Sequence, residues 1–256
     1  MKKEFAEDRR YKILRLISQK RRVSVDVLAR QFKVSDATIR KDLEFLKRQN
    51  LIHRTHGGAI SRDSVIFEFD YSEQTKRFPE EKKRIGEEAS KLVKEGEVIF
   101  LEASTTVLQL ARAIRDRTNL TVVTNSLDIA GELRGRSGIN LILIGGTLKK
   151  KTQALIGSLA ETCLSQLRLE KAFVGISALD IEHGLTMATL EEAQTMKKIY
   201  QAANRIIALS DSSKFGKQNF AYIGPVNSID VLITDQGIPQ EMRRKMEKMR
   251  IEVIVT

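Results

Sequence analysis

Tryptophan is absent from this 256-residue chain, cysteine occurs once, and proline and histidine occur three times each. A single thiol, Cys163, excludes an internal disulfide and suits a reducing compartment, so a cytoplasmic protein is expected. Cys163 lies in the helical pattern "SLAETCLSQL", where a small buried side chain accounts for it better than a nucleophile does. The histidines come without paired cysteines or an H-x-x-x-H spacing, so no metal is expected, and no cofactor either. No apolar run approaches the roughly 20 residues of a membrane span. "MKKEFAEDRR" has no apolar segment behind its charges, so neither a membrane partner nor a secretory signal is expected. Aromatics are sparse at 5 %, but 41 % apolar residues with regular periodicity is globular composition, in a chain long enough for two domains.

What is present in excess is positive charge, and it is unevenly placed. Through Arg62 there are 17 Lys and Arg against 7 Asp and Glu, whereas the remainder carries 27 against 26. A small basic module attached to a neutral body is the footprint of a nucleic-acid binder. Within that module, "RRYKILRLISQK" puts Ile13, Leu14, Leu16 and Ile17 on one helix face. Ser24 caps a short helix carrying Val27, Leu28 and Phe32; after the tight connection "KVS", Ser35 caps another that buries Ile39, Leu43 and Leu46. Two such helices form a helix-turn-helix, whose second member enters a major groove. Its outer face presents Ala37, Thr38, Arg40, Lys41 and Arg48: small side chains for close approach, cations for phosphates or guanine edges. "NLIHRTHGGA" then reads as a hairpin turning at Gly57-Gly58, a wing bearing His53, Arg54 and His56. The candidate DNA contacts are Ser24, Ser35, Ala37, Thr38, Arg40, Lys41, Arg54 and His56.

Residues 1–60 are thus expected to be a winged helix-turn-helix domain, 61–84 a polar linker breaking at Pro79, and 85–256 a second domain. In that second domain short Val/Ile/Leu runs alternate with amphipathic helices, the pattern of a Rossmann-like, mostly parallel α/β sheet covered on both faces. Ligands bind such sheets beyond the C-terminal strand ends. Polar clusters fall there: Glu102 with Ser104, Thr105 and Thr106; Thr124, Asn125 and Ser126; Gly145 and Gly146 with Lys149 to Lys151; and Lys214 in "SDSSKFGK". The stretch "LEASTTVLQLA" runs from a strand through hydroxyls into a helix start, which seats a phosphate on free N–H groups. An anionic, hydroxylated ligand fits the set.

"VSDATIRKDLEFL" with "HRTHGGA" resembles the DNA-binding module of DeoR-family bacterial transcriptional regulators, and "VVTNS", "LIGG", "GLT" and "LSDSSKFG" resemble that family's sensor domain. The resemblance implies an isomerase-like sensor that binds a phosphorylated sugar, with Ser104, Thr105 and Thr106 on the phosphate. Thr124, Asn125, Ser126 and Lys214 would line the pocket. Two departures are visible: Glu102 and Ser104 stand where the family usually has Asp and Gly. A regulator of double-stranded operator DNA is expected, a homo-oligomer of two or four chains and a repressor of carbohydrate genes. The alternative is a sugar-phosphate isomerase fused to a DNA module, with Glu102 as base and Glu191 or Glu192 as a second carboxylate. No loop supplies a partnered acid–base set, so no catalytic residue is assigned.

Overall fold

The structure, a computed structural model, describes residues 6–20, 22–49, 51–55, 57–61 and 71–256; His56 lies outside the described residues. The N-terminal part runs α1 (Ala6–Lys20), β1 (Arg22–Ser24), α2 (Val25–Phe32), α3 (Asp36–Arg48), β2 (Ile52–Thr55) and β3 (Gly58–Ser61). Ile13, Leu14 and Ile17 of α1, Leu28 of α2, and Ile39, Leu43 and Leu46 of α3 close one core, with Ile52 and Ala59 beneath it. These are the apolar positions that the helical spacing selects. The turn between α2 and α3 passes through Lys33 in the left-handed region, whose N–H returns to the Ala29 carbonyl and ends α2. Ser35 then accepts the Thr38 N–H at 3.2 Å and starts α3. The wing strands order β1-β3-β2, antiparallel. A side chain at Gly58 would put its Cβ 2.1 Å from the Val23 carbonyl oxygen, so glycine is what lets β3 lie against β1.

Two further helices lead onward, α4 (Tyr71–Lys76) and α5 (Pro79–Ser90). Pro79 does not break the chain but opens α5 at its first turn, where proline's missing N–H costs nothing. The expected boundary at residue 85 therefore falls inside α5, which buries Lys82, Ile85, Gly86 and Ala89.

The larger part contains β4 (Val98–Leu101), α6 (Val107–Ile114), β5 (Leu120–Thr124), α7 (Leu127–Leu133), β6 (Ile139–Leu143), β7 (Thr147–Lys149), β8 (Ala154–Ile156) and α8 (Ser158–Ser165). It continues through β9 (Leu169–Gly175), β10 (Ala178–Asp180), β11 (Gly184–Met187), α9 (Leu190–Ala202), β12 (Ala203–Ser210), β13 (Ala221–Gly224), β14 (Val231–Thr234), α10 (Gln240–Lys248) and β15 (Glu252–Val255). Seven strands make one wholly parallel sheet in the order β15-β14-β12-β9-β4-β5-β6. The period of two along the strands divides the core. Ile99, Leu101, Phe173 and Ile207 face α5, α6 and α7, while Phe100, Ala172, Val174 and Ala208 face α8, α9 and α10. A small antiparallel sheet, β10-β11-β13, and the β7–β8 hairpin stand beside this sandwich.

The sheet grows from β4 outward through β5 to β6, then returns to place β9 on the other flank of β4. That reversal leaves a crevice beyond the C-terminal ends of β4 and β9, the topological switch point where open α/β sheets hold ligands. The site is placed by topology.

Candidate functional site

The outward face of α3 carries exposed Ala37, Arg40, Lys41 and Arg48, with Thr38 half-buried beside the Ser35 cap. The helix is held from behind by Asp42, a buried carboxylate that accepts from Arg9 Nε at 2.6 Å and Arg10 Nε at 2.8 Å of α1. The guanidinium of Arg10 also lies 4.1 Å over the Phe45 ring. Two of the basic residues thus brace the module, and the sequence reading missed this because Asp42 looks like any surface acid on a charged helix. Arg54, on the wing strand β2, donates to the Arg40 carbonyl at 3.3 Å and ties the wing to α3. Ser24 sits on β1 opposite Gly58, at the start of α2, and its side chain does not cap that helix.

The second candidate site is the switch-point crevice. Its walls are the loops after β4 (Glu102 to Thr106), after β9 (Gly175 to Ser177) and after β12 (Ser210 to Lys214). Gln74 of α4, Lys82 of α5, Lys151 and Thr152 of the β7–β8 hairpin, and Met187, Ala188 and Glu192 complete it. The first loop is braced from outside: Asn125 Oδ1 accepts the Ala103 N–H at 2.9 Å, and Ser104 Oγ accepts the Thr106 N–H at 3.2 Å. Across the crevice, a Cβ on Gly175 would come 2.4 Å from Ser104 Oγ. The absence of a side chain at 175 is therefore what accommodates the Cβ at 104.

The charges in the crevice are buried. Glu102 accepts the Gly175 N–H at 3.0 Å, and burial raises its pKa to about 7, with Glu192 adding to the rise. Glu192 is itself paired with Lys149 at 2.5 Å and with Thr189 at 2.8 Å, joining the β7–β8 hairpin to the start of α9. Lys82, at the end of the first turn of α5, is 2 % exposed, and burial lowers its pKa. Lys214 is lowered to about 8, again by burial first, against the opposing pull of Asp211. Two lysines held partly out of water beside a helix start are a seat for an anion.

Of the expected pocket residues, Glu102, Ser104, Thr105, Thr106 and Lys214 come together on the crevice wall. Thr124, Asn125, Ser126, Gly145 and Gly146 do not reach that wall. Thr124 is spent on the Leu101 carbonyl at 2.7 Å and the Ser126 N–H at 3.0 Å, and Ser126 caps α7. Asn125 braces Ala103 from behind, at a small adjoining cavity shared with Glu102 and Glu192. Gly145 and Gly146 follow β6, the edge strand two places away from the switch point. Lys151 and Asp211 also come to the wall, from the clusters at Lys149 to Lys151 and "SDSSKFGK", while sequence reading missed Gln74, Lys82, Thr152 and Ser177. Only Lys82 had a signal: a lysine at helical spacing with Ile85 and Ala89, on the face that packs inward.

Among carboxylates proposed as a base, Glu191 is exposed and Glu192 is committed to Lys149. Among the described residues no helix is long and apolar enough to cross a membrane.

Comparison with known proteins agrees with both halves. The DeoR-like helix-turn-helix domain matches residues 9–65, and the DeoR C terminal sensor domain matches residues 77–236. The HTH-type transcriptional repressor GlcR of Bacillus subtilis (strain 168) is 36 % identical over 252 residues, covering 98 % of this chain and 97 % of its own. The HTH-type transcriptional regulator GlpR of Haloferax volcanii is 33 % identical over 247 residues, with 96 % of each chain covered. The glycerol-3-phosphate regulon repressor of Escherichia coli (strain K12) is 31 % identical over 241 residues, covering 94 % of this chain and 95 % of its own. A solved ribose 5-phosphate isomerase A from Methanocaldococcus jannaschii superimposes on 52 % of this chain and 53 % of its own, at 21 % identity and a TM-score of 0.39.

Proposed function

The chain belongs to the DeoR family of transcriptional regulators, and on that footing we propose that it is a repressor whose grip on DNA is set by a phosphorylated sugar in the switch-point crevice. The observation that carries the proposal is the coexistence, in one chain, of an exposed cationic recognition helix and a crevice with one buried lysine, Lys82, and one half-buried, Lys214. In this reading α3 lies in the major groove with Arg40 and Lys41 on phosphates or base edges, and the wing follows the neighbouring backbone. Ser35, Ala37 and Thr38 sit closest to the bases, with Ser24 and Arg54 on the flanks.

In the crevice, the backbone around Ser104, Thr105 and Thr106 takes the phosphate, and Lys82 and Lys214 neutralise it. Glu102 accepts from sugar hydroxyls. Two or more copies pair so that their recognition helices match operator half-sites. The ligand binds one arrangement of the crevice loops better than another, and that difference, about 1–3 kcal/mol in coupled systems, is all that can alter DNA affinity. The isomerase alternative is not favoured, because the family and the relatives that match it along nearly their whole length are regulators.

The test is a mobility-shift titration of duplex DNA from upstream of the protein's own gene, with pentose and hexose phosphates added in turn. One of them is expected to change the affinity by tenfold or so. A protein that binds the duplex and ignores every phosphate ester, or that isomerises one at a useful rate, sinks the reading.

A further inference from the structure

Two of the three lysines that line the crevice, Lys82 and Lys214, are already engaged by one residue, and that residue belongs to the segment leading back to the DNA module. Lys82 Nζ donates to the Gln74 carbonyl oxygen at 2.5 Å, and Lys214 Nζ donates to Gln74 Oε1 at 3.3 Å. Gln74 is half-buried on α4, while its helix neighbours Glu73, Thr75 and Lys76 are exposed. Helix α4 is the first described element after the wing strand β3, ten residues beyond Ser61.

A second contact lies in the same stretch of chain as Lys214. Six residues after Lys214, Phe220 packs against the core of the DNA module, its ring 6.5 Å from that of Tyr11 and edge-on to it. Asn219, beside it, donates to Ser177 on the crevice wall at 2.8 Å. The DNA module thus packs on the loop that ends in Phe220, while α4, next along the chain from the module, is held to the crevice by Gln74.

The Gln74 acceptors are neutral amide oxygens. A phosphate oxygen makes a charge-assisted bond of about twice the strength and adds negative charge to the single carboxylate, Asp211, that acts on both lysines. Phosphate and Gln74 therefore compete for the same protons.

We propose that Gln74 is the residue that reads occupancy: an anion in the crevice draws Lys82 and Lys214 off Gln74, and α4, the element that follows the DNA module in the chain, loosens from the sensor wall. This rests on the reading of the crevice as the seat of a phosphorylated effector. Gln74 lines the crevice, and its part there is to compete with the anion for the two ammonium groups.

Hydrogen exchange on the full-length protein tests it, with inorganic phosphate as the minimal probe and a panel of pentose and hexose phosphates beside it. At saturation, exchange is expected to slow across 102–106 and to quicken about fivefold or more across 71–76, in line with ordinary coupling between sites. Slowing at 102–106 with unchanged or slower exchange at 71–76 overturns the assignment of Gln74 alone. No slowing at 102–106 with any probe removes the effector reading, and this inference with it. The variant Gln74→Ala keeps the carbonyl that Lys82 uses and deletes only the Lys214 bond. With one competitor for Lys214 removed, it should show a probe-induced rise in melting temperature at least as large as the wild type's, while losing at least about fivefold of the probe's effect on affinity for the upstream duplex. A Gln74→Ala protein whose DNA affinity responds as fully as the wild type's also overturns it.

Discussion

The DNA module and the sensor domain both depend on lysine and arginine, yet they hold them in opposite ways. On α3 the cations stand in solvent with no protein partner needed, and the charge excess of the first quarter is free to meet a polyanion. In the crevice Lys82 and Lys214 are taken out of water, their pKa values driven down by burial, beside a carboxylate, Asp211. The difference sets what each can sense. Exposed charge reads a long anion through counterion release and is tuned by salt. Buried charge reads a small anion through geometry and is tuned by pH.

The sharpest way to separate the two regions is to weaken one from inside. Asp42→Ala strips Arg9 and Arg10 of their buried carboxylate and should remove about 3 kcal/mol from the DNA module. Calorimetry should show a lowered transition for that module while the sensor's response to sugar phosphate is kept; a loss of both together would mean that the two regions do not fold as separate units.

Next in size is the double variant Arg40→Ala with Lys41→Ala, expected to weaken duplex binding about a hundredfold and to lower the salt slope by about 2. Its melting curve should match the wild type's. Unchanged affinity would remove α3 from the interface. The mirror experiment is Lys214→Ala, expected to weaken a phosphate ester about tenfold by calorimetric titration. The same ester should bind the Arg40/Lys41 variant normally.

The smallest effect is on pH. From pH 7 to 9 a phosphate ester already fully ionised should bind several-fold more weakly. Lys214 loses its proton near 8, and Glu102 acquires negative charge near 7. Glu102 also has a stability signature. Its folded pKa is raised from 4.5 to about 7, so its contribution is whole below 4.5 and is lost as pH rises through 7. Glu102→Gln should therefore melt above the wild type at pH 8 and show a shallower fall in ligand affinity; identical melting at pH 8 would mean that the carboxylate is not buried in solution.

Much of this was legible beforehand. The helix spacing of Ile39, Leu43 and Leu46, the Ser35 cap and the glycine pair of the wing specify the DNA module locally, because each acts within a few residues. The parallel sheet followed from the alternation of β-branched runs with amphipathic helices. The crevice was half legible. Glu102 through Thr106 follow β4, which proved to flank the switch point; the equally polar Thr124 to Ser126 and Gly145-Gly146 follow strands on the far side of it. A polar strand end looks the same in sequence whether it lines the crevice or braces it, as Asn125 does.

Sequence by itself determined where charge accumulates, which faces are apolar and where helices begin, since these depend on residue type and on the period of the backbone. Tertiary structure alone decided which strand ends meet, that Lys82 would turn inward from a helix reading as surface, and that Gln74 would lie across two lysines, 8 and 140 residues away along the chain. Strand order is a long-range choice, made by packing two faces of one sheet at once, and no local pattern encodes it.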